Sequence, residues 1–520
     1  MSDALSVPAV SLDGLLHRAA TRRPGRVAVR DENGTHTYAA LNAYADRFAR
    51  ALRRRTGGAG AAVGVASVLD AVFAAGFYGT SRSGNRVVMV NPLMRATVLA
   101  HVFRTADIEI ALVDAGTAGR LAEVRDGLPA LREVYVVDAV PGDLPAGARP
   151  LAELFGDDGP DTGPVAEPVG RDLDEVACVQ FTSGTTGPPK GVQLTHRNLV
   201  TNAAQVASVL RLDESAVCLN HLPLYHLMHL NATVYAGGTQ VLCHDPDPVA
   251  SFAMASAERA THYFGLPVRL ARLVADPRFA GVTAGPPLRL VASGGSALAP
   301  EVAGALRGRL GVPVIQGYGL AELSPLSHND LPEHPRPGSV GPAVPGTECR
   351  IVDLETGEDV TAGEKGEVLV RGPQLMAGYL GLPDAPDVDA DGWLHTGDVG
   401  YEDADGRLFL VDRIKDVFKV DNELVSPSEI EDVLRRDPEV ADCVVVDQAD
   451  ASRSAVVWAG VVTRSEDPDV LVAVAARANA QLADHQRIRG IERLDAVPRS
   501  PNGKVERRPI RERLRGSVAL

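Results

Sequence analysis

Short apolar runs alternating with helical stretches constrain the first half of this chain more than any single motif does. Ala61–Ser67, Arg86–Val90, Ile108–Asp114 and Glu133–Asp138 are each too short for a buried helix, and helical stretches lie between them. Such a βαβα rhythm makes parallel sheets covered by helices on both faces. Tyr38–Arg54 is periodic and stops at Gly57-Gly58, where Arg53-Arg54-Arg55 reads as a solvated, dipole-favoured helix end. The rhythm resumes at Ala216–Asn220, Thr239–Cys243 and Leu288–Ser293, after a stretch from Pro141 to Gly170 whose Pro, Gly and Asp content reads as a surface linker. From about residue 336 to 412 short strands, turns and glycines take over; beyond lies an α+β stretch with a helix near Ser426–Arg436. The expected fold is therefore α/β. A large N-terminal domain, residues 1–412, holds βαβ subdomains with parallel-rich sheets and a small β-rich subdomain at about 336–412. A small, mobile α+β domain follows at 413–520, with the boundary at Asp412–Lys415.

A chain of 520 residues is too long for one core. Its formal charge of −15 argues against nucleic-acid or anionic-membrane partners, which need basic surface. The cysteines Cys178, Cys218, Cys243, Cys349 and Cys443 are scattered without a CxxC pair and read as small core residues in a reducing compartment. The apolar stretch Ala66–Tyr78 is interrupted by Asp70 and too short to span a bilayer, and no leader pattern opens the chain. A cytoplasmic protein, monomeric or homodimeric, is expected.

The run Phe181-Thr182-Ser183-Gly184-Thr185-Thr186-Gly187-Pro-Pro-Lys190-Gly191 sits between an apolar strand, Val176–Gln180, and a helical stretch from about His196. Its glycines let backbone approach a ligand, its hydroxyls and amides can form an anion nest, and Lys190 adds a positive charge. These parts suit a polyphosphate, although the Walker spacing is absent. His221, His226 and His229 invite a zinc reading, with His226 and His229 able to share a helix face, but no carboxylate or cysteine completes a local set.

The run resembles the phosphate loop of the AMP-forming adenylating enzymes, the superfamily of acyl-CoA synthetases, firefly luciferases and peptide-synthetase adenylation domains. Further segments follow in that superfamily's order, so the resemblance spans roughly residues 15 to 510. Ser293-Gly294-Gly295-Ser296 and Gln316-Gly317-Tyr318-Gly319-Leu320-Ala321-Glu322 resemble the adenine-binding pair, with Tyr318 against the base and Glu322 as the Mg²⁺ ligand. Trp393-Leu-His-Thr-Gly397-Asp398 resembles the ribose motif. Asp412-Arg413-Ile414-Lys415 looks like the hinge, with Arg413 near ribose and phosphates and Lys415 as the pivot. Pro498-Arg-Ser-Pro-Asn-Gly503-Lys504 matches the lysine loop of the small domain. The resemblance makes Lys504, Lys190, His226 and Glu322 the catalytic set and places the acid beside Tyr225, His226, Asn231, Tyr263, Gly265, Gly294 and Tyr318.

The implied reaction is ATP-dependent: a carboxylate, already ionised and needing no base, attacks the α-phosphorus and expels pyrophosphate, leaving an acyl-adenylate. Catalysis is positioning plus charge stabilisation, and one such cationic contact is worth about 3 kcal/mol. Polar Asn231 and the lack of a uniformly aliphatic stretch favour a small or aromatic acid. Two positions depart from the family pattern. Ala321 replaces a threonine whose hydroxyl reaches an ATP phosphate, a loss of roughly 1.5–3 kcal/mol that ATP use should survive. In the loop Lys419-Val-Asp421-Asn422-Glu423, Asn422 replaces a glycine and adds bulk where thioester-forming relatives face pantetheine. Two acceptors therefore stay open: CoA, or CoA-independent adenylate chemistry. The latter includes the diazotases of bacterial secondary metabolism, which activate the oxyanion nitrite for attack by an aryl amine. A catalytically dead binding or scaffold protein is disfavoured by retention of Lys190, Glu322, Asp398, Arg413 and Lys504.

Overall fold

Runs of Val, Ile and Ala that are apolar on both faces can be satisfied only inside a sheet with helices above and below it. The computed structural model describes residues 5–139, 142, 144–156, 171–182, 188–283, 285, 287–382, 387–421, 423–450, 454–467, 469–499 and 505–516. Two compact units emerge. The first is Met1–Glu348 with Val370–Leu394, the second Cys349–Leu369 with His395–Leu520.

The first unit is built on two eight-stranded sheets. One runs Gly378–Tyr379, Gly191–Thr195, Val176–Phe181, Arg86–Val90, Ala62–Ala66, Ile108–Val113, Glu133–Val136, Ala148–Pro150. Its central pairs are parallel, and the Gly191–Thr195 strand runs antiparallel between its two neighbours. The other runs Leu326–Asn329, Val314–Gly319, Leu290–Ser293, His262–Gly265, Val217–His221, Thr239–Leu242, Val27–Asp31, Gly34–Thr37, parallel except at its two edges. Val88, Ile108, Val113 and Val179 belong to the first sheet's core, and Leu219, Tyr263, Val291 and Val314 to the second's.

Local signals set the helices. Thr37 caps Tyr38–Thr56 by accepting from Ala40 N–H, and Gly57, at φ 76°, ends it in the left-handed region. Asp70 caps Ala71–Arg82, a helix buried along its whole length, which explains the apolar stretch around it. The Arg53–Arg55 cluster forms the last turn of the Tyr38–Thr56 helix, as expected, with Arg54 exposed and the other two half-buried. Arg53 donates to the carbonyls of Ser83 and Arg82, Arg54 to that of Phe155, and Arg55 to Glu133 and the Glu153 carbonyl, stapling neighbouring segments together. One expectation needs correction: the early part of the Pro141–Gly170 stretch is no linker, since Ala148–Pro150 is an edge strand and Ala152–Phe155 buries Leu154 and Phe155.

The second unit carries a four-stranded sheet in the order Glu348–Val352, Gly366–Arg371, Leu394–Glu402, Leu408–Arg413. It adds a hairpin, Phe418–Val420 with Glu423–Val425, and a three-stranded sheet, Val440–Asp450, Ser454–Thr463, Ile488–Arg493, covered by the Pro427–Arg435 and Val470–Asn479 helices. Of the expected β-rich stretch at 336–412, residues 349–369 and 395–412 group with the C-terminal residues, while 336–348 and 370–394 belong to the first unit. No helix among the described residues is long and apolar enough to cross a membrane.

Candidate active site

The loop from Thr182 to Lys190 is drawn from a hairpin. Val176–Phe181 and Gly191–Thr195 pair antiparallel up to Phe181 and Gly191, and two hydrogen bonds close the neck: Thr182 N–H to Lys190 C=O at 3.0 Å and Lys190 N–H to Thr182 Oγ1 at 3.2 Å. Ser183, Gly184, Thr185, Thr186 and Gly187 lie outside the described residues. On the far side of Gly191–Thr195, the short strand Gly378–Tyr379 pairs with Val192 and Gln193, which carries Tyr379 to the mouth of the loop. The Lys190 ammonium lies 2.8 Å from Asp387 Oδ2 and 4.5 Å above the Tyr379 ring. The Tyr379 phenol oxygen is 2.9 Å from Glu322 Oε1 and 2.8 Å from Asp387 Oδ2.

Glu322 arrives by a second route. The Leu290–Ser293 and Val314–Gly319 strands run parallel with Ser293 opposite Gln316, which lays Gly294 beside Gly317. Gly295 follows at φ 84°. The Gln316 side chain accepts from Leu298 N–H and donates to Ser339 C=O, so it braces the turn after Ser293-Gly294-Gly295-Ser296. Tyr318 is buried beside His328 on the neighbouring strand, ring centroids 6.0 Å apart. At Gly319 the chain passes so close to Pro325 that a Cβ would sit 1.8 Å from its carbonyl oxygen. Only glycine fits there, and Ala321–Leu323 then forms a turn that holds Glu322, its carbonyl accepting from Met376 N–H.

His226 is the N-cap of the Leu227–Ala236 helix, its Nδ1 accepting from Met228 N–H at 3.3 Å. A ring nitrogen that accepts carries no proton, so the proton sits on Nε2. Burial lowers the His226 pKa to about 4 and keeps the ring neutral. His229 stands 6.0 Å from His226, centroid to centroid, and 4.1 Å from Phe264. His221 is occupied otherwise, between the Asp245 carbonyl and the Tyr263 hydroxyl. Asn231 accepts from the Tyr78 hydroxyl at 2.9 Å, and Tyr225, wholly buried, packs on Phe73.

Successive residues of His262–Gly265 face opposite sides of the sheet. Tyr263 stacks on Phe252, bonds Ser251 and His221, and belongs to the core on one side; Phe264 meets His229 on the other. Phe264, rather than Tyr263, therefore shares a side with the two histidines. Gly265 closes the strand, its carbonyl accepting from Ser293 Oγ.

In the second unit, Asp398 and Arg413 face each other on antiparallel strands, Arg413 Nε 3.0 Å from Asp398 Oδ1. Asp412 accepts from Ser426 Oγ and Ser428 N–H and so caps the Pro427–Arg435 helix, tying the expected hinge to the element after it. Lys415 offers its carbonyl to Arg511, Lys419 pairs with Glu355, and Asp421 sits at φ 51° in the hairpin turn. Asn422 and Lys504 lie outside the described residues. Arg499 and Val505 pair at the neck of the lysine segment, with Glu506 N–H donating to Pro498 C=O.

Residues 16–380 match the AMP-binding enzyme family and residues 429–504 the AMP-binding enzyme C-terminal domain. The chain is an adenylate-forming ligase of this family. The ligase is 32% identical over 505 residues to 4-coumarate–CoA ligase 2 of Oryza sativa subsp. japonica, an alignment covering 92% of this chain and 88% of the relative. An anthranilate CoA ligase solved in complex with anthranoyl-AMP superposes with a TM-score of 0.87 at 25% identity, covering 98% of each chain. The amide bond synthetase McbA from Marinactinospora thermotolerans gives 0.84 at 27% identity, with 97% of this chain and 99% of that one covered. The family's ATP dependence and the mixed α/β architecture expected from the sequence both hold for this ligase.

Two residues of the candidate site carry no clear signal in the sequence, Tyr379 and Asp387, while Phe264 lies in the expected His262–Leu266 stretch but takes the place given to Tyr263. Gly378-Tyr379 on a two-residue edge strand was the one available hint, since a lone tyrosine after a glycine carries no periodicity.

Proposed function

We propose that this ligase activates an aryl carboxylic acid as its adenylate, with release of pyrophosphate, and passes the acyl group to CoA. The observation that carries the proposal is the meeting of the closed Thr182–Lys190 neck with Lys190, Tyr379 and Glu322 at one sheet edge. A lysine and a hydroxyl-rich turn there suit a triphosphate. Glu322 offers a hard carboxylate oxygen whose neighbour is a phenol, a donor set that fits Mg²⁺, and the ion would neutralise phosphate charge. Gly294, Gly317 and Tyr318 offer a backbone edge and ring face for adenine; the resemblance to the family assigns the ribose hydroxyls to Asp398, with Arg413 beside it, and the phosphates to Lys504. His226, neutral and with its proton on Nε2, donates to a carboxylate oxygen of the acid, orienting the other oxygen for attack on the α-phosphorus. Phe264 and His229 supply aromatic surface beside His226, which favours a substituted aryl ring over a long alkyl chain.

A second reading concerns the acceptor alone. Likeness to an amide bond synthetase over nearly the whole chain supports attack of an amine on the acyl carbon of the adenylate, with AMP leaving and no CoA, and nitrite activation for an aryl amine is the variant with an inorganic oxyanion. The test is AMP and pyrophosphate release across benzoate, cinnamate and anthranilate acids, each with CoA, with an amine, and with neither, plus nitrite with an aryl amine. CoA-stimulated turnover of an aryl acid supports the leading reading. Amine-stimulated turnover indifferent to CoA replaces it with the second, and absence of AMP from every acid and from nitrite overturns both.

A further inference from the structure

Lys190 does not wait for phosphate as an unspent charge. Its ammonium lies 2.8 Å from Asp387 Oδ2, across 197 positions of sequence, and above the Tyr379 ring. The same Asp387 oxygen is 2.8 Å from the Tyr379 phenol oxygen, which is also 2.9 Å from Glu322 Oε1. A phenol has one proton to share between two carboxylates. Burial and the adjoining carboxylates hold the Tyr379 pKa far above its ordinary value, so that proton stays on the ring oxygen. With Lys190 serving Asp387, the phenol is free to serve Glu322. Asp387 is thus held by Lys190, the only lysine that the phosphate loop offers.

We propose that Asp387 is a resident counter-ion for Lys190 that competes with nucleotide phosphate, so that ATP binds only by exchanging this carboxylate for phosphate oxygens on the lysine. The inference rests on the reading of Lys190 as a phosphate ligand and adds a residue that sets nucleotide affinity. Half-exposed pairs of this kind are weak, and their strength falls with salt. A small anion such as inorganic phosphate gains too little to displace Asp387. A triphosphate, with further contacts to spend on the exchange, succeeds. Asp387 therefore selects for the nucleotide at some cost in its affinity.

The test is equilibrium titration of the full-length protein with ATP and, separately, with adenosine, for the wild type and Asp387→Asn. Removing the charge is expected to tighten ATP about two- to fivefold at low salt, to lose most of that gain at 0.5 M NaCl, and to leave adenosine unchanged. In turnover the KM for ATP falls by the same factor, while kcat moves less. ATP binding that is unchanged or weaker overturns the proposal, as does an equal shift for ATP and adenosine, which marks a structural effect. Asp387→Ser, also uncharged, repeats the comparison should Asp387→Asn lower the Tm. Wild-type protein that binds adenosine but gains nothing from the triphosphate refutes the parent reading of Lys190 itself, and is told apart because no variant is needed to see it.

Discussion

His226 offers the sharpest test of the chemistry, because its two nitrogens have separable duties. Nδ1 accepts from Met228 N–H and caps the Leu227–Ala236 helix, while Nε2–H is left to donate. Replacing His226 by alanine removes both. The cap is worth about 1 kcal/mol of stability. A hydrogen bond to the substrate carboxylate is worth roughly 1.5–3 kcal/mol, or on the order of a ten- to hundredfold loss in kcat/KM for the acid. Asparagine separates the two, since its side-chain oxygen caps well but places no donor where Nε2 stood. His226→Ala is therefore expected to lower both Tm and kcat/KM, and His226→Asn to restore Tm without restoring kcat/KM. Pyrophosphate release with the acid varied at saturating ATP measures the second quantity. The pH profile adds an independent check. With its pKa held at about 4 by burial, the ring is already neutral at pH 5.5 and above, so adenylation shows no His226 inflection near 6.5. Wild-type kcat/KM in His226→Asn, or a step near pH 6.5 that this substitution abolishes, refutes the reasoning.

Other consequences follow from the same geometry. Burial lowers the pKa of His196, His221 and His262 to about 4 and of His328 to about 3, so the unfolded chain takes up protons that the folded one refuses. Stability is then fully present above pH 6.5 and falls as the pH drops from 6.5 towards 4, by about 1 kcal/mol per histidine at pH 5.5. Urea melts at pH 7.5 and 5.5 read this directly, and equal midpoints would exclude it. Gly319→Ala forces a Cβ to within 1.8 Å of the Pro325 carbonyl oxygen, backbone that must move, and about 1–3 kcal/mol of destabilisation is expected with loss of adenylation because Glu322 moves too; a variant with native Tm and activity contradicts it. Asp398→Asn should raise the KM for ATP and shrink the preference for ATP over 2′-deoxy-ATP by roughly tenfold, a carboxylate to hydroxyl bond being worth about 1.5–3 kcal/mol. An unaltered preference would remove Asp398 from the ribose.

Much of the fold was legible because parallel strands buried on both faces need unbroken apolar runs, and Arg86–Val90 and Ile108–Val113 appear nearly as the runs that predict them. That same property hides which side each residue takes. Nothing in His262-Tyr-Phe-Gly265 says that Tyr263 belongs to one core and Phe264 to the other, since both are buried and aromatic. The Arg53–Arg55 cluster is legible as a helix end, but its bonds to the carbonyls of Ser83, Phe155 and Glu153 depend on segments far away in the chain. Motifs fare similarly. The phosphate-loop run names the residue types and the strand before it, but not that Gly191–Thr195 returns antiparallel and closes the neck between Thr182 and Lys190. Asp387 is not legible either, because its claim on Lys190 passes through the pairing of Gly378–Tyr379 with Gly191–Thr195. A motif names a lysine, but whether that lysine is available to a ligand is decided by a partner elsewhere in the chain. For this reason transplanting Thr182–Lys190 into a scaffold that lacks Tyr379 and Asp387 should yield a loop that takes inorganic phosphate more readily than the ligase itself does. Indifference of phosphate affinity to that change would mean that the loop alone sets its own selectivity.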